Sequence, residues 1–236
     1  MRLGYHVMVE PLSHPIRSSG MPTEWTLPIP RTARYATLGV LDETVRDCWL
    51  VCHGYGQLAA NFVMGFEPIR APGRLIVAPE GLSRFYLQGQ SGPVGASWMT
   101  REARTHEIVD YVGFLDTLYR HILARTCRDR LRLTALGFSQ GTATVCRWVA
   151  RGRVRPERVV LWGGPLLPDD EVEDAVERLS QVRFTVVAGT SDSYVDSDAL
   201  RKELTRFQTF GIPHDVITFD GGHRLDAEVL RQLAKW

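Results

Sequence analysis

The sequence has few cysteines, no long apolar run and almost no net charge. Its four cysteines include no C-x-x-C pair and show no zinc-like spacing with histidine, which argues against a disulfide framework or a zinc module. The N-terminal residues lack the apolar core of a signal peptide, and no run approaches transmembrane length. These features predict a cytoplasmic protein without a membrane span, in which the cysteines are buried free thiols.

The charge balance also narrows the choice of partners. The formal net charge is +1, and basic and acidic residues are mixed along the chain. No basic patch therefore points to nucleic acid or to an anionic membrane surface. A small-molecule substrate fits this composition better, and either a monomer or a homodimer is compatible with it.

The 236 residues suit one sizeable domain preceded by a short segment. Residues 1–33 are rich in proline and are predicted to form an extended N-terminal segment, apart from a short strand at Tyr5–Glu10. Residues 34–236 are predicted to form a single α/β domain. The region has no internal repeat and no low-complexity tract.

Apolar runs of strand length alternate with stretches of helical periodicity after residue 33. Such alternation predicts a mostly parallel central sheet with helices on both faces. The segment Leu82–Thr100 is predicted to lack regular structure, and a connection of that length is usually functional. The predicted strands cover residues 34–39, 47–53, 74–78, 131–135, 157–162, 183–189 and 214–219, and the predicted helices include 58–64, 169–179, 197–210 and 226–235.

One predicted strand runs directly into a helix through Gly137-Phe138-Ser139-Gln140-Gly141. A sharp strand-to-helix turn of the Gly-x-Ser-x-Gly type exposes the serine hydroxyl at the carboxyl end of the sheet. The two glycines, which lack a Cβ, allow strand and helix to pass closely. The five-residue pattern alone could equally be a glycine-containing turn with a solvated serine, so its surroundings must supply a base, an acid and an anion site.

A serine nucleophile needs a histidine base, and the histidine needs a carboxylate. His223 is the histidine that follows a predicted strand in a glycine-rich loop and precedes the last helix. Asp192 comes directly after the preceding strand. The order Ser139, Asp192, His223 is the chain order of α/β-hydrolases. Asp196 and Asp198 are rivals for the acid, although their place at a helix start favours a capping function.

The oxyanion of acyl transfer needs two backbone N–H donors. Gln140, which follows the nucleophile, and Tyr55, in the loop after an early strand, are the predicted donors. The same loop also reads as a G-x-G-x-x-A pattern from Gly54 to Ala59, with Glu80 at the end of the next strand. That pattern resembles a dinucleotide fingerprint, which leaves a nucleotide-dependent oxidoreductase as an alternative.

Four motifs together resemble the phospholipase/carboxylesterase family of α/β-hydrolases, which includes acyl-protein thioesterases and small bacterial carboxylesterases. They are His53-Gly54-Tyr55-Gly56-Gln57, Gly137-Phe138-Ser139-Gln140-Gly141, Gly189-Thr190-Ser191-Asp192 and Gly222-His223, within a similarity that spans residues 34–236. The resemblance implies hydrolysis of carboxylic esters or thioesters by Ser139, Asp192 and His223, without cofactor or metal. The chain departs from the family pattern at Gln57, where the family has Asp, and at Ser193, where it has Pro.

The leading hypothesis is therefore a serine esterase acting on short to medium acyl esters through an acyl-enzyme intermediate. The alternative to an enzyme is a hydrolase fold used only for binding. The substrate pocket is predicted from residues near the four motifs, and Trp98 could instead be a core aromatic residue. The predicted pocket residues are Gly54, Trp98, Met99, Gly164, Pro165, Leu166 and Val195.

Overall fold

A computed structural model describes residues 23–127 and 131–235. The chain divides after Thr32 into two units. Residues 23–32, the described part of the first unit, form neither helix nor strand. The strand predicted at Tyr5–Glu10 lies outside the described residues.

A seven-stranded sheet in the order β1-β3-β2-β6-β7-β8-β9 forms the centre of the second unit. β1 pairs antiparallel with β3, and every other pairing in this sheet is parallel. The loops after β2, β6, β7, β8 and β9 therefore leave the same edge. The strands are β1 (Tyr35–Leu38), β2 (Asp47–Cys52), β3 (Arg74–Pro79), β6 (Arg132–Phe138), β7 (Arg158–Trp162), β8 (Arg183–Gly189) and β9 (His214–Phe219).

Helices cover both faces of the sheet, so the predicted fold class, a mostly parallel α/β-hydrolase sheet between helices, is confirmed. A 3₁₀ helix, Val63–Ile69, continues α1. The helices are α1 (Ala59–Phe62), α2 (Arg104–Leu123), α3 (Gln140–Arg151), α4 (Asp169–Glu173), α5 (Val176–Leu179), α6 (Ser197–Thr209) and α7 (Ala227–Leu233). None of the helices in the described residues combines the length and apolar character that crossing a membrane requires.

Two sequence predictions of local structure are wrong. Leu82–Thr100 is not without regular structure, because β4 (Ser83–Tyr86) and β5 (Val94–Ser97) form a separate antiparallel pair. The single helix predicted over residues 169–179 is two short helices. The break falls at Ala175, whose φ of −125° and ψ of 5° depart from helical geometry.

The core lies on both faces of the sheet, and β2 shows how. Cys48, Leu50 and Cys52 point to the face covered by α2 and α3, whereas Trp49 and Val51 point to the face covered by the 3₁₀ helix and α7. A strand buried on both sides reads as a continuous apolar run, which is why its sequence was informative. Burial raises the pKa of the Cys48 thiol to about 12, so this cysteine is an inert core residue.

Two glycines set the close contact between β6 and α3. A methyl group on Gly137 would lie 2.2 Å from the carbonyl oxygen of Gly141. A methyl group on Gly141 would lie 2.2 Å from the carbonyl oxygen of Cys52 in the neighbouring strand. Both contacts are with backbone atoms, so no side-chain rotation could relieve them. The helix that follows Ser139 can approach the sheet only with glycine at these positions.

Gly141→Ala is expected to lower the free energy of unfolding by about 3 kcal/mol or more, since overpacked cores shift backbone. Urea denaturation measures this change. Gly113→Ala is the matched control, because a methyl group there meets nothing within 4 Å on the exposed side of α2. The free energy of unfolding of that control should rise by up to about 1 kcal/mol, because alanine has a higher helix propensity than glycine. Equal small changes in both variants would contradict the close-approach argument.

Candidate active site

Ser139 stands at the sharp turn between β6 and α3. Its φ of 53° and ψ of −117° place a non-glycine residue in a strained conformation. The turn is held because the Ser139 N–H donates to the Trp162 carbonyl at 2.8 Å and its carbonyl accepts from Thr142 N at 3.0 Å. The surrounding backbone therefore imposes a conformation that the serine itself disfavours, as in the strand-to-helix turns of the Gly-x-Ser-x-Gly type.

His223 and Asp192 meet beside this turn. The Nδ1 atom of His223 lies 2.8 Å from Oδ2 of Asp192, whose side chain is almost fully buried. The His223 ring packs on Phe138, the residue before Ser139, with ring centroids 4.8 Å apart. Gly163 permits this arrangement, since a methyl group there would come within 3.0 Å of the His223 ring. Asp192 is therefore placed to fix the tautomer of His223 next to Ser139.

The backbone of the following loop orients Asp192. Its other carboxylate oxygen, Oδ1, accepts hydrogen bonds from Tyr194 N at 2.8 Å and Val195 N at 3.1 Å. Asp196, a rival from the sequence, caps α6 instead and accepts from the amides of Asp198 and Ala199. Asp192 is thus the carboxylate that contacts the histidine, and Asp196 has the capping function typical of its position.

Two backbone amides near Ser139 have no acceptor among the described residues. In the loop after β2, Gly54 N donates to the side chain of Gln57 at 2.8 Å and Gly56 N donates to Ala96 O at 2.9 Å. The amide of Tyr55, between them, has no such partner. Gln140 is the first residue of α3, where helical amides lack an intrahelical acceptor. Tyr55 and Gln140 could therefore both donate to an external anion.

Glu80 disfavours the dinucleotide interpretation of the Gly54 loop. Its buried carboxylate accepts from Ala59 N at 3.1 Å, the first amide of α1, where a nucleotide phosphate would bind. The same carboxylate also accepts hydrogen bonds from Arg34 and Arg84. The Glu80 carboxylate is therefore occupied by hydrogen bonds within the protein. The helix α1 is also short, with four residues, whereas a dinucleotide fingerprint opens a longer helix.

A cleft of about 300 Å³ opens next to Ser139 along α3. Met99, Gly164, Pro165 and Val195, four of the predicted pocket residues, line it. The lining also includes side chains that sequence reasoning did not select. They are Thr142, Ala143, Thr144, Arg147 and Tyr194, with Ser139, Gln140 and Gly163 completing the wall.

Three predicted pocket residues do not line this cleft. Trp98 is only 1% exposed and lies behind the site, where its indole N–H donates to His53 O at 2.8 Å. Leu166 is buried as well, packed in the core. Gly54 lies under the serine, since a methyl group there would be 3.2 Å from Ser139 Cβ. Aromatic and apolar residues next to a site often support it from the core, and sequence position alone does not separate lining from support.

The side chain of Gln140 is a structural link that the sequence did not reveal. Its Oε1 accepts from Trp98 N at 3.1 Å, and its Nε2 donates to Met99 O at 2.8 Å. These bonds tie the segment after β5 to the start of α3 and hold Met99 at the cleft. The Gly-x-Ser-x-Gly pattern predicted a function for the backbone N–H of Gln140. It gave no indication of the side-chain contacts, whose partners lie more than 40 residues away.

Arg147 contributes a buried charge to the cleft wall. Its Nε and Nη2 donate to Glu171 at 2.8 and 3.0 Å, and the same carboxylate accepts from Arg104 and Arg151. Burial would raise the pKa of Glu171, but hydrogen bonds and charges from Arg147 and Arg104 outweigh it and lower that pKa to about 2. One carboxylate thus holds three guanidinium groups together.

Glu171→Gln is expected to lower the free energy of unfolding at pH 7 by about 3 kcal/mol, because three arginines lose their shared counter-charge. A lowered folded-state pKa means that the stabilisation is present above the unfolded value of about 4.3 and is lost as the pH falls towards 2. Urea denaturation should therefore show the difference between wild type and variant narrowing from pH 5 to pH 3. The exposed Glu173→Gln is the control, and an unchanging difference would contradict the assignment.

Comparison with known proteins places the chain in a family. Residues 49–228 match the serine hydrolase (FSH1) family, which is well over half of the chain. A search among curated proteins finds no match. Solved structures of similar fold are numerous, and the resemblance to α/β-hydrolase esterases predicted from the four sequence motifs is confirmed.

The structural neighbours include esterases and thioesterases from several organisms. Acyl-protein thioesterase 2 of Zea mays superposes with a TM-score of 0.66 at 17% identity, covering 87% of this chain and 97% of that one. A carboxylesterase from Mesorhizobium loti gives a TM-score of 0.66 at 20% identity, covering 86% and 94%. The Bacillus cereus carboxylesterase gives 0.62 at 13%, covering 86% and 92%. The neighbours show a shared fold, and the family match shows that this chain belongs to the serine hydrolase (FSH1) family and is a hydrolase.

Proposed function

We propose that the protein is a serine esterase that cleaves carboxylic ester or thioester bonds of small acyl substrates. Ser139 is the nucleophile, His223 the general base and Asp192 the residue that orients the base. The observation that carries this proposal is the 2.8 Å contact between His223 Nδ1 and Asp192 Oδ2 beside the strained Ser139 turn. A strained serine next to an oriented histidine has a chemical use that a binding module does not need.

In the first half of the reaction, Ser139 Oγ attacks the carbonyl carbon of the substrate while His223 Nε2 accepts the hydroxyl proton. The amides of Tyr55 and Gln140 donate to the oxygen that becomes negatively charged, at the positive end of the α3 dipole. As the tetrahedral intermediate collapses, the bond to the leaving group breaks and His223 gives its proton to the departing alcohol or thiol. The product is an acyl-enzyme on Ser139.

In the second half, water attacks the acyl carbonyl and transfers its proton to His223. The new C–O bond gives a second tetrahedral intermediate, and as this collapses the bond to Ser139 Oγ breaks and that oxygen takes the proton back from His223. The carboxylic acid is released and the enzyme is restored. Asp192 keeps the proton on Nδ1 of His223 throughout, so that Nε2 faces the chemistry.

A fluorophosphonate probe tests this proposal together with p-nitrophenyl acetate and butyrate. We expect one covalent adduct per chain, located by peptide mass spectrometry on Ser139, and loss of ester turnover in proportion to labelling. The values of kcat/KM for an oxygen ester and a thioester of butyrate with matched leaving groups then show which of the two bonds the protein cleaves faster. An adduct at another residue, or turnover that continues in fully labelled protein, would rule out Ser139 as the nucleophile.

A further inference from the structure

The cleft beside Ser139 follows one face of α3. Gln140, Ala143, Thr144 and Arg147 all line it, at the spacing of one helix face. Ser139 marks one end and Arg147 the other. Eight residues of helix correspond to an axial rise of about 12 Å. The distance from Ser139 to the Arg147 guanidinium along the helix is shorter than this rise, because helical side chains lean towards the N-terminus. A substrate limb that leaves Ser139 along this face therefore runs towards the Arg147 guanidinium.

Arg147 has one nitrogen turned away from its carboxylate partner. Nε and Nη2 are bonded to Glu171, whereas Nη1 lies 3.4 Å from Met99 Sδ and 3.5 Å from the Tyr111 hydroxyl. A thioether sulfur is a weak acceptor, and the hydroxyl lies at the limit of a hydrogen bond. Met99 itself lines the cleft. A stronger acceptor that displaced the Met99 thioether would meet Nη1 directly.

The charge at this end of the cleft is not balanced locally. Within residues 23–127 and 131–235, Glu171 is the one carboxylate bonded to Arg104, Arg147 and Arg151, so this group of four side chains carries two excess positive charges. The other side chains that line the cleft are uncharged. Arg147 is also buried, with a side chain 4% exposed, so its field reaches the cleft with little screening by solvent.

We propose that the cleft selects esters that carry a carboxylate on the limb lying along α3, with Arg147 Nη1 as the specificity-determining donor. The inference rests on the proposed ester hydrolysis at Ser139. The carboxylate accepts a charge-assisted hydrogen bond from Nη1 in place of the weak contact with Met99. The apolar side chains between the two ends, among them Ala143, Pro165 and Val195, accommodate the methylene chain that joins the ester to the carboxylate.

Two matched substrate pairs test the proposal and show which limb carries the charge. For the acyl limb, mono-p-nitrophenyl adipate is compared with p-nitrophenyl hexanoate. For the alcohol limb, 6-acetoxyhexanoate is compared with hexyl acetate in a pH-stat. Adipate is chosen because shorter diacid monoesters cleave themselves through their own carboxylate. We expect kcat/KM for the anionic member of one pair to exceed that of its neutral match by about tenfold or more.

Arg147→Met should abolish that preference, mainly through KM of the anionic ester, while turnover of the neutral ester persists. Arg201→Met removes the same charge from an exposed position on α6 and should keep the preference. Because Arg147→Met could affect folding, competitive inhibition of wild type by the monoamide of adipate and by hexanamide is measured as well. The two amides differ only in the distal carboxylate, and the adipate monoamide should bind more tightly.

The outcomes separate the two proposals. If neither neutral nor anionic esters are cleaved in a Ser139-dependent way, the esterase proposal fails. If neutral esters are cleaved but no anionic ester is preferred and the adipate monoamide inhibits no better than hexanamide, only the carboxylate selection is overturned. A preference that survives in folded Arg147→Met would likewise overturn the assignment to Arg147.

Discussion

Ser139→Ala is expected to lower kcat for p-nitrophenyl butyrate by about 10⁴-fold to 10⁶-fold, as removal of a serine nucleophile does elsewhere. The variant lacks the oxygen that forms the acyl-enzyme in the proposed mechanism. The amides of Tyr55 and Gln140 would still polarise the carbonyl, so a small rate above the uncatalysed reaction should remain. Substrate affinity should change little, because the cleft wall is otherwise intact.

Stability measurements separate the loss of the Ser139 hydroxyl from any change in the strained turn between β6 and α3. Alanine keeps the strained φ of 53°, so Ser139→Ala should unfold at nearly the wild-type urea concentration. Ser139→Gly should be equally inactive but more stable by about 1 kcal/mol, because glycine tolerates positive φ. Ser180→Ala, at the end of α5, is the control for both. Substantial turnover in folded Ser139→Ala would remove the basis of the mechanism.

The sheet could be predicted because most of its strands have a clear signature in the sequence. Strands buried on both faces, such as β2 and β8, read as largely apolar runs. β2 is followed by a loop with two glycines, and β8 itself ends in Gly189. Since parallel strands end at one edge, placing Ser139, Asp192 and His223 after three different strands was enough to expect them together. The contact between His223 and Asp192 agrees with that expectation.

The cleft was less predictable, since its wall depends on contacts that are distant in sequence. The β4–β5 hairpin pairs with itself, outside the main sheet, so its short strands with glycine and serine gave no apolar run. Nothing in the sequence distinguishes Arg147 from the many other arginines of the chain. Its partner Glu171 is 24 residues away, on a helix whose bounds the sequence did not resolve. Buried charge pairs of this kind leave no periodic signal.

Trp98 is a residue that the sequence placed in the pocket wall and the structure places in the core. A large aromatic residue in a long connection suggests a pocket wall, but the indole is held in the core by its bond to His53 and by ring contacts with His53 and Tyr111. The adjacent Met99, whose carbonyl accepts from Gln140, faces the cleft. Which of two neighbouring side chains points inward is decided by tertiary packing.

Asp192→Asn is expected to lower kcat by about 10⁴-fold while the fold persists. Oδ1 of Asp192 accepts from the amides of Tyr194 and Val195, so the asparagine oxygen must take that side. Its NH₂ group then faces His223 Nδ1, which lies 2.8 Å from Oδ2 in the wild type. Two donors cannot share this contact, so Nδ1 must lose its proton and Nε2 must carry it.

A histidine protonated on Nε2 cannot accept the proton of Ser139, and this is the physical reason for the expected loss. The ¹H NMR signal of the Nδ1 proton, present in wild type, should be missing in Asp192→Asn. Urea denaturation should show little change, because both backbone amides keep their acceptor. Asp196→Asn is the matched control, because asparagine caps a helix about as well as aspartate, so neither the α6 cap nor kcat should change appreciably. If instead Asp192→Asn retained most of the activity and Asp196→Asn lost it, the roles of the two carboxylates would have to be exchanged.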